Sequence, residues 1–189
     1  MRIEIDDRLP VVKQSDGSHQ LRYVKLNEDQ EFWPALIEKA VAKVLGGYQW
    51  LDGGFPIHAL EILTGGKVET LFPGDEDVDD LFRRLSTAYD ADCIMTCGIN
   101  SDPRSDKNRT GLNDGHAYSL TSVATVALKS GGSVDLLRIR NPWGKTTSGS
   151  GEWKLKWSDE SSAWKNVAEK EKKKIRFTSE HDGEFWMDV

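Results

Sequence analysis

The stretch from Gly115 to Gly144 reads GHAYSLTSVATVALKSGGSVDLLRIRNPWG. Two runs of β-branched and apolar residues, Ala117 to Leu128 and Val134 to Arg140, are separated by Lys129-Ser-Gly-Gly-Ser133. That composition around a glycine-rich connection predicts an antiparallel hairpin. His116 opens the first run and Asn141 closes the second. Antiparallel pairing brings the start of one strand beside the end of the next, so these two side chains are expected as neighbours at one end of a sheet.

Working upstream, Cys93-Ile-Met-Thr-Cys97 reads as a further strand. Between it and the hairpin lies Asn100 to Asp114, a polar loop whose one apolar anchor is Leu112, and it is expected to be mobile. Before this point the pattern is helical. Phe32, Leu36, Ala40 and Val44, with Trp33, Ile37 and Val41 beside them, give Glu31 to Leu45 an apolar face of helical period, stopped by Gly46-Gly47. A second helix is expected from Ile57 to Leu63, ended by Gly65-Gly66. A third follows Pro73-Gly74, with acidic residues in its first turn, and runs to about Tyr89. At the start, Met1 to Asp6 alternates like a strand, and Asp16-Gly17-Ser18 marks a turn between Val11-Val12 and Leu21 to Val24. No partner for these first strands is evident nearby. The fold class is α+β, with a boundary near Gly65-Gly66 that separates residues 1–65 from 66–189.

Bulk composition narrows the function. The chain has 189 residues, 38% hydrophobic and 30% charged, with a formal net charge of −6. An acidic balance argues against nucleic acid as the main partner and leaves room for cations. The only cysteines are Cys93 and Cys97. On one strand they would sit about 13 Å apart, beyond disulfide reach. With no disulfide framework, no apolar signal core at the start and no run of ~20 apolar residues, the expectation is an intracellular, cytoplasmic chain without a transmembrane segment. Ala168 to Lys174 reads as a solvated charged face.

His116 and Asn141 suit one chemistry in particular. A thiol is a weak nucleophile until an adjacent imidazole takes its proton, forming a thiolate–imidazolium pair. An asparagine oxygen that accepts the other ring N–H holds the imidazole in place without adding charge. Trp143 could shield that hydrogen bond from water.

The combination of segments resembles the calpain family. The residues that carry the resemblance are Gly115-His-Ala-Tyr-Ser119, Leu137-Arg-Ile-Arg-Asn-Pro-Trp-Gly144, Glu152-Trp153 and Asp182-Gly-Glu-Phe-Trp-Met187. Upstream, Ile5-Asp-Asp-Arg-Leu-Pro10, Glu31-Phe-Trp33 with Glu38-Lys-Ala40, and Thr64-Gly65-Gly66 agree. The resemblance implies a papain-like, two-subdomain, calcium-dependent cysteine endopeptidase acting on intracellular proteins. Residues 1–65 would be the helical end of the first subdomain, and 66–189 the second. His116, Asn141 and Trp143 match the catalytic histidine, the catalytic asparagine and the tryptophan packed beside them.

For calcium, the resemblance implies a site in the second subdomain built from Glu152, Asp159, Asp182 and Glu184, with a backbone carbonyl at Glu180. Glu31 matches a ligand of the family's other core site. The family's nucleophile lies in a Gln…Gly-Asp-Cys-Trp segment upstream of the Asp-Asp-Arg-Leu-Pro motif. This sequence contains no such segment, and Cys93 and Cys97 read as structural thiols. The chain by itself is therefore expected to be inactive, its missing protease half to be supplied in cis or in trans. A non-catalytic calpain-like module that binds calcium or protein is the alternative. Trp33, Trp50, Trp153, Trp157, Trp164 and Trp186 are expected in packing roles, and His19, His58 and His181 have no assigned role.

Overall fold

A computed structural model describes residues 2–24, 26, 31–99, 107–144 and 151–189, without the side chains of 107 and 108. The first part of the loop expected to be mobile, residues 100–106, lies outside the described residues. The chain divides into two compact units, residues 1–69 and 70–189.

In the first unit, β1 (Val11–Lys13) and β2 (His19–Leu21) pair with each other across the Asp16-Gly17-Ser18 turn. The strands that seemed to lack partners are thus a self-contained hairpin, and the second begins earlier than Leu21. Residues 2–10 form no strand. Instead, α1 (Trp33–Leu45) holds this segment through two lysines. Lys39 Nζ donates to the carbonyls of Asp6 and Arg8 and to the Asp6 carboxylate, while Lys43 Nζ donates to the Glu4 carbonyl. The Lys39 ammonium keeps the Asp6 carboxyl down at about 2. The unit is completed by α2 (Pro56–Thr64). Trp33 and Trp50 are 60% and 66% exposed, which corrects their reading as packed residues. A unit this small has too little chain to cover all of its apolar surface.

The second unit is an antiparallel sheet with short helices. α3 (Val78–Asp90) starts at Asp77, whose side chain accepts the N–H groups of Asp79 and Asp80. β3 (Met95–Ile99) follows. Cys93 falls before this strand and is exposed, so the expected frame was too early. Lys107–Thr110 forms one turn of helix, α4, where a polar loop was expected. β4 (His116–Ala127), β5 (Ser133–Arg140) and β6 (Glu184–Asp188) complete the sheet in the order β3-β4-β5-β6. α5 (Glu169–Lys174) occupies the charge-dense stretch and carries Lys172, Lys173 and Lys174 in its last turn.

The sheet is covered on both faces. Val126, Leu136 and Trp186 point to one side and pack with Trp157, Trp164, Val167 and Ile175. Tyr118, Ile139 and Phe185 point to the other and enclose Leu112. Strand residues alternate in direction, so Tyr118 and Val126 of an unbroken β4 would share a face. An irregularity between Leu120 and Ser122 separates them: Leu120 pairs with Ile139, and Ser122 already pairs with Arg138. The extra residue, Thr121, reverses the alternation, as a β-bulge does.

Candidate functional site

The register of β4 and β5 places the site. Ser119 is opposite Arg140, so Asn141, one residue on, comes level with Tyr118 and diagonal to His116 on the same face. There His116 Nε2 lies 2.9 Å from Asn141 Oδ1. Asn141 is fully buried. Its amide orientation is set by two further bonds. The Trp143 backbone N–H donates to Oδ1 at 3.0 Å, and Nδ2 donates to the Gly151 carbonyl at 3.3 Å. Oδ1 can only accept, so His116 must carry its proton on Nε2, which leaves Nδ1 as the basic nitrogen of the neutral ring.

Aromatic rings enclose the imidazole. The Trp143 ring lies 4.1 Å from it, tilted by 41°, and Tyr118 meets it edge-on at 4.9 Å. Trp143 is itself 60% exposed, so it caps the pair with one face and shows the other outward. Tyr118 is pinned in turn, its hydroxyl accepting the Asn113 N–H at 2.9 Å. The three residues singled out in the sequence are therefore in mutual contact.

Neither cysteine is part of this cluster. Cys97 pairs with Tyr118 across the sheet, and burial pushes its thiol up to about 11, the opposite of an activated nucleophile. Cys93 is exposed before β3.

Glu152 and Asp159 fall on one loop of the second unit, Glu180 and Asp182 on a neighbouring one, and Glu184 opens β6. Burial, and then the negative charges of Glu152 and Asp182, push the Asp159 carboxyl up to about 7, against the Glu180 N–H bond and His181. Their oxygen donors are of the type that suits a hard cation such as Ca²⁺. The Glu180 carbonyl accepts the Asp182 N–H at 3.0 Å and keeps a lone pair to offer.

Two of the expected ligands are engaged elsewhere. Glu184 is bound by Arg138, with Arg140 at 3.8 Å. Glu152 Oε1 accepts the Gly183 N–H at 2.5 Å, and its Oε2 lies 2.6 Å from His181 Nδ1. Among the described residues, no three His, Cys, Asp or Glu side chains gather closely enough to hold a metal ion. The donor types fit calcium, while hydrogen bonds with Gly183 and His181 hold Glu152, and the Arg138 ion pair holds Glu184, in their present directions. Glu31 is exposed in the first unit, just before α1.

Sequence reading missed His181, Arg138 and Gly151. The first had no ligand spacing around it, and the second alternates within an ordinary strand. The third has no side chain to attract notice.

With this geometry in view, comparison with known proteins is direct. The family described as calpain family cysteine protease matches residues 1–189. A calpain of Schistosoma mansoni is 42% identical over 188 residues, which cover 99% of this chain and 24% of that protein. Calpain-A of Drosophila melanogaster is 39% identical, covering 97% of this chain and 22% of its own. Calpain-9 of Homo sapiens is also 39% identical, at 98% and 26%. The chain belongs to the calpain family of cysteine proteases, and it spans about a quarter of the length of these relatives. No helix among the described residues is long and apolar enough to cross a membrane.

Proposed function

We propose that the chain carries the base and the orienting residue of a calcium-dependent, papain-like cysteine endopeptidase that acts on intracellular, cytoplasmic proteins. Residues 1–65 would belong to the nucleophile-bearing subdomain and 66–189 to the second. The observation that supports this best is the 2.9 Å contact between His116 Nε2 and buried Asn141 Oδ1. A thiol presented to Nδ1 would give up its proton there, and the resulting imidazolium would keep its Nε2–H bond to Asn141 while the thiolate attacks a peptide carbonyl. His116 then gives that proton to the leaving amine as the thioester forms, and in the second half-reaction it takes a proton from the water that hydrolyses the thioester, regenerating the thiol. Neither Cys93 nor Cys97 is suited to supply the thiol, so the nucleophile would come from a protease half outside these residues.

Calcium, when bound, would neutralise the carboxylates of Glu152, Asp159, Asp182 and Glu184, with the Glu180 carbonyl as a further donor and Glu31 serving another site. Support comes from the Asp159 carboxyl, which burial, and then the charges of Glu152 and Asp182, push up. To test the reading, a Gly-Asp-Cys-Trp-bearing segment of a relative is joined ahead of residue 1 and hydrolysis of an unfolded protein is followed with and without calcium. Thiol-dependent cleavage that needs calcium and disappears in His116→Ala is expected. Cleavage indifferent to His116→Ala, or none in either condition, would overturn it. The second reading, a non-catalytic calcium- or protein-binding module, draws its support from the unsuitability of both cysteines.

A further inference from the structure

The side-chain amide of Asn141 is held at both ends, and only one of its anchors lies on its own turn. Oδ1 accepts from Trp143, two residues away, whereas Nδ2 donates to Gly151, ten residues away. Gly151 is buried and has φ +94°, a region that side chains avoid. A Cβ there would lie 2.0 Å from Asn141 Nδ2 and 3.2 Å from Asn113 Nδ2. Contact this close leaves no room for any side chain.

Gly151 is itself fixed from the other side of the site. Its N–H donates to the Gly111 carbonyl at 2.6 Å, and the Lys154 N–H donates to the Thr110 carbonyl at 3.0 Å. Gly111 has φ +84°, and a Cβ there would lie 1.9 Å from the Glu152 carbonyl oxygen. The segment before His116 and the segment after Trp143 are therefore clamped backbone to backbone, with the Asn141 amide against the clamp. A second path closes the loop: the Asn141 N–H donates to the Gly183 carbonyl at 2.8 Å, and the Gly183 N–H donates to Glu152, the neighbour of Gly151.

We propose that Gly151 is a positioning residue for the His116–Asn141 pair. Its carbonyl holds Asn141 Nδ2, which keeps Oδ1 toward His116 and so selects the Nε2–H tautomer, leaving Nδ1 free to accept a proton. The inference rests on reading His116 and Asn141 as base and orienter. It makes position 151 part of that machinery although it never touches the imidazole.

The test reads the tautomer directly. The whole 189-residue chain is labelled with ¹⁵N-histidine, and long-range proton–nitrogen spectra are recorded at a pH where the ring is neutral, with His116 assigned from His116→Gln. Wild type should show predominantly Nε2–H. Gly151→Ala should lower the ratio of Nε2–H to Nδ1–H by about fivefold, the factor that one hydrogen bond of ordinary net strength supplies. Gly131→Ala is the control for backbone strain, since Gly131 has φ +93° and open space around its Cα. It should leave the ratio unchanged.

Because Gly151→Ala could fail to fold, a second measurement uses wild type alone: Asn141 side-chain amide protons should exchange with solvent at least about tenfold more slowly than those of an exposed asparagine. An unchanged ratio in Gly151→Ala, an equal change in Gly131→Ala, or unprotected Asn141 amide protons would overturn the proposal. Asn141→Ala separates it from the reading beneath it. If that variant leaves the tautomer unaltered, the base–orienter pair fails and the role of Gly151 falls with it. If only Asn141→Ala shifts the tautomer, the pair stands and Gly151 is dismissed.

Discussion

Glu152 and Gly183 are joined by a 2.5 Å hydrogen bond in which the N–H of a buried glycine donates to a carboxylate. Since the Gly183 carbonyl accepts the Asn141 N–H, one acidic side chain braces the turn that carries the buried asparagine. Glu152→Ala leaves that glycine N–H without its acceptor. The expected cost is about 1–3 kcal/mol, read from urea unfolding. Glu152→Gln keeps an acceptor and should lose less than half as much. An alanine variant as stable as wild type would show that the bond contributes nothing net.

Trp143 should behave in the opposite manner. With 60% of its surface exposed, its loss in Trp143→Ala should change stability by less than about 1 kcal/mol. Its ring nevertheless covers the imidazole at 4.1 Å. The His116 Nε2–H proton should therefore exchange with water markedly faster in Trp143→Ala. Equal exchange in both proteins would mean that the indole does not shield the pair.

The two thiols should react unequally. Cys93 is exposed, whereas burial pushes Cys97 up to about 11. At pH 8 the thiolate fraction of Cys97 is about one in a thousand, and it rises only as pH climbs toward that value. A maleimide followed by peptide mapping should label Cys93 first, with Cys97 modified only on unfolding. Prompt labelling of both would contradict the enclosed position of Cys97.

Calorimetry addresses the acidic loops. Calcium should bind the chain, and Asp159→Asn or Asp182→Ala should weaken binding at least about tenfold through lost ligand charge. Arg138 competes for Glu184, so Arg138→Gln should strengthen binding by a small factor while removing a partly buried ion pair. Affinity indifferent to both acidic substitutions would return these residues to ordinary surface charge.

The hairpin and its histidine and asparagine were legible because two β-branched, apolar runs flank a glycine-rich turn, so local composition and tertiary pairing agree. β3 was read too early because Cys93 and Ile94 are as apolar as the residues that follow. Its frame is set instead by pairing, with Met95 against Leu120 and Ile99 against His116. β6 was not foreseen as a strand because Phe185 and Trp186 are consecutive and both buried, each serving a different face. A strand covered on both sides shows no alternation to read. The acidic residues were grouped only by the calpain resemblance, and their engagement by Arg138 and His181 depends on which loops fold against which strand. Gly151 was invisible for a related reason: its importance lies in the space it leaves vacant.

The bulge at Thr121 has a consequence for how this sheet tolerates change. Because it reverses the alternation partway along β4, the half bearing His116 and Tyr118 and the half bearing Val126 keep separate frames. Removing that one residue would not merely shorten the strand. It would force a choice between seating Val126 in its core and seating Tyr118 under the histidine, so one end of the strand could be correctly placed only by turning the other inside out.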